Sequence, residues 1–253
     1  MYKIFNTANE ASFYTAQRLV NKIQAKPEAA LGLATGSTME PVYAHFLQLL
    51  ESAPVDVTQI TTFNLDEYIG LGADHAQSYS YYMNQHLFTK LSLSKDRVNL
   101  PNGTLGNVES ACKAYSEAIH AAGRLDLQLL GVGTNGHIGF NEPFTCFSSR
   151  THVIELSEQT RLDNGRFFTD LNEMPTQAIT MGILDILEAK EIVLVATGHK
   201  KAAIMAELFH GDVNEALPAS ALKRHQNVTF VLDREAAALL PDEVRLFEGL
   251  KAC

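Results

Sequence analysis

The sequence predicts an α/β protein: an open, mostly parallel sheet with helices on both faces. Three observations carry this. Short apolar or β-branched runs alternate with longer stretches of helical period. The short runs are mostly apolar throughout rather than alternating, as strands buried on both faces of a parallel sheet must be. No linker rich in Gly, Pro or Ser, no internal repeat and no low-complexity tract interrupts the chain, so residues 1–253 are expected to form a single domain.

The elements follow in order. A helix is expected over Asn9–Ala25, where Ala11, Tyr14, Ala16, Leu19, Val20 and Ile23 form one stripe. Strands are expected at Leu31–Thr35 and Ile60–Asn64, with a helix over Met39–Glu51 between them. Helices over Ser78–Leu91 and Val108–Ala122 come next, then strands at Asp126–Val132 and His152–Leu156. The stretch from Ser157 to Pro175 mixes arginines, two Phe and several Asp/Asn, and reads as a helical lid over a site. Strands at Ala178–Met181, Glu191–Thr197 and Val228–Leu232 alternate with helices over Lys200–Phe209 and Arg234–Leu240.

Composition excludes whole classes. Apolar residues make up 46% and charged residues 19%, which rules out disordered, collagenous and disulfide-rich chains. No apolar run approaches the ~18 residues that span a bilayer, and no secretory signal is visible, so no membrane partner is expected. Cys112, Cys146 and Cys253 are odd in number and widely spaced, reading as reduced thiols of a cytoplasmic protein. A net charge of −9 argues against nucleic acid, which needs a basic face. It leaves open a small phosphorylated ligand, which two or three local cations or helix N-termini can hold.

In open α/β sheets ligands bind beyond the carboxyl ends of strands, and four such ends carry unusual residues. Thr35-Gly36-Ser37-Thr38 precedes a helix and offers free N–H groups, hydroxyls and a helix dipole; it is an anion cradle or a plain helix cap. Asp66 and Glu67 follow a buried strand and point different ways; one is a partly desolvated base, or both are solvated. The run from Gly131 to Pro143 has four glycines in nine residues and carries Asn135, His137 and Glu142. A histidine steered by a carboxylate and an amide is a usual acid/base unit near neutral pH. The fourth end is cationic: Lys200 and Lys201 follow Thr197-Gly198-His199, and Arg166 lies in the lid. A lysine in the first turn opposes the helix dipole unless an anionic ligand compensates. No His or Cys pattern marks a metal site. The residues therefore read as metal-free proton-transfer chemistry on a small phosphorylated polar substrate.

Thr35-Gly36-Ser37-Thr38, Phe63 to Tyr68, Gly131 to Pro143, Ser149-Arg150-Thr151 and Gly165-Arg166-Phe167-Phe168 together resemble the glucosamine-6-phosphate deaminase family, up to about Asp233. The resemblance implies a modified Rossmann-like sheet, no cofactor, and conversion of glucosamine 6-phosphate and water to fructose 6-phosphate and ammonia in amino-sugar catabolism. It casts Asp66 as the base between carbons 2 and 1. His137, with Glu142 and Asn135, becomes the ring-opening unit. Thr35 to Thr38, Arg166 and Lys201 become the phosphate site. Two departures stand out. Asn135 replaces the Asp of some members. Positions 152 and 154, basic in allosteric hexamers of the family, hold His and Ile. A monomer or small homo-oligomer without that effector is therefore expected. A lactonase on a similar scaffold would leave a base such as Asp66 superfluous, and a regulator would need a DNA-binding module for which the chain has no room.

Overall fold

A computed structural model describes residues 1–91, 93–104, 106–165, 168 and 173–246. Seven strands form a wholly parallel sheet: β1 (Tyr2–Phe5), β2 (Ala30–Leu33), β3 (Thr61–Asn64), β5 (Val98–Asn99), β6 (Leu127–Leu130), β9 (Ile192–Ala196) and β10 (Val228–Asp233). Their spatial order is β1-β10-β9-β6-β2-β3-β5. The central strands β2, β6 and β9 are buried at every position, because helices cover them above and below.

The order explains the layering. From β1 the chain crosses by α1 (Ala8–Ala25) to β2, then by α2 (Met39–Ser52) to β3, and by a segment containing α3 (Tyr79–His86) to β5, always moving towards one edge. It then returns by α4 (Val108–Ala121) to β6 and continues to β9, and by α7 (Ala202–His210) to β10, moving the opposite way. Right-handed crossovers put α1, α2 and α3 on one face and α4 and α7 on the other. The reversal falls between β2 and β6, and the crevice beyond their carboxyl ends is where such sheets bind ligands.

A second sheet is antiparallel and has three strands: β4 (Asp66–Tyr68), β8 (Gln177–Thr180) and β7 (His152–Glu155), in that order. This corrects the expectation that His152–Leu156 and Ala178–Met181 join the parallel sheet. A four-residue apolar run is buried equally well in either sheet, so its composition does not say which. Thr180 lies opposite Asp66 on one side and His152 on the other. This sheet packs its own small core, Tyr68, Leu71, Phe140, Leu156, Met174 and Ala178, against which Phe168 rests.

A helix, α5 (Glu158–Gly165), opens the segment expected to form a lid; Arg166 lies outside the described residues. The helix expected over 234–240 is instead a series of turns. There the Asp233 carboxylate captures the Ala236 N–H at 2.8 Å and also the Gly198 N–H at 3.0 Å, tying the segment to the end of β9. Short helices α6 (Ile183–Leu187) and α8 (Asp242–Leu246) are the remaining α-helices among the described residues.

Candidate active site

Four adjacent strands, β9, β6, β2 and β3, deliver the four motifs to one end of the sheet. β2 ends in the Thr35–Thr38 turn. Gly36 has φ +99, a left-handed conformation that glycine adopts without strain. Thr38 makes no side-chain cap to α2, so the plain helix-cap reading of its hydroxyl fails. The turn is held from outside instead: Tyr82 of α3 donates to the Gly36 carbonyl at 2.9 Å, and Tyr43 donates to the Ala34 carbonyl at 2.5 Å. Gly36 and Ser37 are exposed, and their backbone sits ahead of a fourteen-residue helix. That is the arrangement that receives an anion.

Gly198, whose φ is +84, lies two residues beyond the end of β9, and a short 3-10 turn, His199–Lys201, leads into α7. Lys200 points to solvent, while Lys201 is half-buried and donates from Nζ to the Val132 carbonyl at 2.6 Å. Val132 follows β6, so the Lys201 ammonium reaches the end of the strand next to β9. The two adjacent lysines are thereby separated in role.

Asp66 and Glu67 separate in the same way. Both are buried. Glu67 accepts from the backbone N–H groups of Tyr68, Tyr79 and Ser80, at 2.9, 3.0 and 2.9 Å, which anchors the start of α3. Burial raises its pKa, and those three donors oppose the rise. Asp66, 6% exposed, faces the other way. Burial, with the Glu67 charge behind it, pushes its carboxyl up to about 8.

The glycine-rich loop after β6 passes beside Asp66 at Gly139. A side-chain carbon at Gly139, φ +58, would stand 3.5 Å from Asp66 Oδ2 and 3.0 Å from Thr180 Oγ1. At Gly133 such a carbon would fall 2.3 to 2.5 Å from the His137 ring, so the imidazole lies directly on bare backbone. Asn135 donates from Nδ2 to Glu142 Oε2 at 2.8 Å and accepts the His137 N–H at 3.2 Å. His137 Nδ1 stands 3.9 Å from the same Glu142 oxygen. Asn135, His137 and Glu142 thus form one unit, with the amide bracing both neighbours.

A cation site can be tested in only one cluster among the described residues. His120, Asp185 and Glu188 bring ligand atoms within 4.8 Å of one another. The Arg150 guanidinium already fills that space, 2.7 Å from Asp185 and 2.6 Å from Glu188. It pairs with both carboxylates and occupies the place a cation would take. A groove of about 780 Å³ between α4 and β7 runs beside this cluster, away from the four strand ends.

A family model described as glucosamine-6-phosphate isomerases/6-phosphogluconolactonase matches residues 5–231. The chain belongs to this family. Within it, the chain is 47% identical over 245 residues to a glucosamine-6-phosphate deaminase of Geobacillus sp., spanning 96% of this chain and 98% of that one. A solved structure of a monomeric glucosamine-6-phosphate deaminase superposes with a TM-score of 0.92 at 44% identity, covering 94% of this chain and 99% of that one. The 6-phosphogluconolactonase of Trypanosoma brucei shares the fold, with a TM-score of 0.74 at 21% identity and coverage of 95% and 98%.

Sequence reasoning missed the groups that hold this candidate site together. Tyr82 braces the Thr35–Thr38 turn, and Thr180 accepts the Phe140 N–H at 3.0 Å. Asn141 ties the glycine loop to the Ile138 and Met181 carbonyls at 2.8 and 2.9 Å. Ser157 and Thr160 bind Glu142. Only the last pair had a visible signal: a Ser before a helical stretch is a recognisable cap.

Proposed function

We propose that this chain is a glucosamine-6-phosphate deaminase, converting glucosamine 6-phosphate and water to fructose 6-phosphate and ammonia. The family match and the 44–47% identity to named deaminases across nearly the whole chain support the activity. The observation that carries the mechanism is the approach of buried Asp66 to the His137 loop at the point where the sheet order reverses.

The phosphate binds the N–H groups and hydroxyls of Thr35–Thr38, with Lys201 and Arg166 supplying charge. This clamp, remote from the reacting carbons, orients the sugar. His137, steered by Glu142 and Asn135, moves the proton that opens the ring between carbon 1 and the ring oxygen. Asp66 takes the proton from carbon 2, acidified by the adjacent aldehyde, giving an enolamine. Protonation at carbon 1 gives an iminium at carbon 2. Water adds there, ammonia leaves, and the ketone of fructose 6-phosphate forms. A carboxyl raised to about 8 is a stronger base than an exposed one, which the weakly acidic carbon-2 proton requires.

We further infer that residues 1–253 act as one domain, with the lid over the crevice. The reading includes a cytoplasmic location; no helix among the described residues is long and apolar enough to cross a membrane, and Cys112 and Cys146 are free thiols. It also includes a monomer or small oligomer, in keeping with the monomeric relative. Incubation with glucosamine 6-phosphate while recording ammonia and fructose 6-phosphate tests the activity. Hydrolysis of 6-phosphogluconolactone without ammonia release from the amino sugar would overturn it.

A further inference from the structure

The Glu142 carboxylate has two oxygens with different neighbours. Oε2 faces the site, with Asn135 at 2.8 Å and His137 Nδ1 at 3.9 Å. Oε1 faces the lid. It accepts from Ser157 Oγ at 3.0 Å and, through a very short hydrogen bond, from Thr160 Oγ1. Ser157 also accepts the Thr160 N–H at 3.1 Å, which makes it the cap of α5. Its hydroxyl lies 3.0 Å from that of Thr160, so the two hydroxyls and the carboxylate form one cluster. Thr160 is 3% exposed and Glu142 7% exposed. Glu142 therefore supplies the negative charge at the positive end of the eight-residue lid helix.

We propose that Ser157 and Thr160 are positioning residues for the reaction: the first turn of the lid helix holds Glu142 in the orientation that serves His137. This rests on the reading of Glu142 as partner of His137. A carboxylate inside a protein turns towards whatever donors it is offered. Two hydroxyls fixed on one oxygen leave the other directed at Asn135 and His137. The coupling runs in both directions, because a contact that orders Glu142 also seats the lid. Each hydroxyl acts through Glu142.

The test is a set of four variants: Thr160→Val, Thr160→Ser, Glu142→Gln, and Thr160→Val combined with Glu142→Gln. Valine keeps the shape and removes the hydroxyl; serine restores it. Hydrogen bonds to a charged group are worth about ten- to a hundredfold, so Thr160→Val is expected to lower kcat by at least ~10-fold. KM should change less than kcat, since Thr35–Thr38 and Lys201 of the phosphate clamp are untouched, and Thr160→Ser should stay close to the parent enzyme. In the Glu142→Gln background the charge is gone, so adding Thr160→Val should cost less than about twofold more. Amide exchange in the first turn of α5 should quicken in Glu142→Gln. Unchanged kcat in Thr160→Val, an equal loss in Thr160→Ser, or full additivity would overturn the proposal while leaving the reaction assignment intact. Near-normal turnover in Glu142→Gln would instead overturn the His137–Glu142 reading, and this inference with it.

Discussion

Replacing Asp66 by Asn is expected to stabilise the protein and disable it together. The carboxyl is 6% exposed, and its pKa is raised from 3.8 to about 8, first by burial and then by the Glu67 charge. The sign follows from linkage. A raised folded-state pKa means that the folded protein holds this proton more tightly than the unfolded chain does. Its contribution to stability is complete below pH ~4, where both states are protonated, and is lost as pH rises towards 8. A shift of about four units at ~1.36 kcal/mol each sets a ceiling on the order of 5 kcal/mol. Water entry and local relaxation reduce this, so a gain of about 2 kcal/mol for the variant at pH 8 is the working figure. For a chain of this size that is a rise of roughly 4–8 °C in the melting midpoint. Asparagine keeps the shape and cannot take the carbon-2 proton, so turnover should fall at least ~10²-fold.

The assay pairs thermal melts of both proteins at pH 5 and pH 8 with ammonia release. The gap between their midpoints should widen with pH in favour of the variant. In the parent, kcat/KM should climb with pH through about 8 as Asp66 ionises. A gap that is flat with pH would refute the burial argument. Near-normal turnover in the variant would move the base elsewhere, with Glu67 the first suspect.

Lys201→Ala and Arg166→Ala should each raise KM by about ten- to a hundredfold, and unphosphorylated glucosamine should be nearly inert; comparable rates with glucosamine would refute the anion site. Gly133→Ala should cut kcat by at least ~10-fold, because the new methyl would lie 2.3 Å from the His137 ring and must displace it. Normal kcat there would mean that the imidazole position is not critical. Substrate titration should be hyperbolic, with no activation by N-acetylglucosamine 6-phosphate, and light scattering should show a species smaller than a hexamer. His152 Nδ1 is bonded to the Arg150 carbonyl at 2.8 Å, and the Arg150 guanidinium is engaged by Asp185 and Glu188, so this edge lacks the cation pair that would clamp a second phosphate. A Hill coefficient clearly above one that drops with the effector would refute this.

The strands of the parallel sheet were legible where burial on both faces leaves only apolar residues, as in β2, β6, β9 and β10. β1, β4 and β5 were not. They are two to four residues long, and their burial comes from neighbours supplied by distant parts of the chain. The candidate site residues stood out in the sequence for a different reason. Glycines, a histidine and carboxylates at a strand end are costly in a core and serve no turn that simpler residues would not serve better. Their supports were not legible, because Tyr82, Thr180 and Asn141 act through hydrogen bonds to the backbone of Gly36, Phe140 and Met181, which sequence alone does not bring near.

The adjacent carboxylates show the boundary between the two kinds of information. From the sequence, Asp66 and Glu67 are two acids after a strand, one of them free to be a base. Strand alternation says only that they diverge. What decides between them is where α3 begins. Its first N–H groups need an acceptor, and the Glu67 side chain, one methylene longer, reaches Tyr79 and Ser80. That leaves Asp66 with the apolar side of the small sheet and no helix to satisfy. The same packing that spends Glu67 on structure raises the pKa of Asp66 and leaves it available for proton transfer.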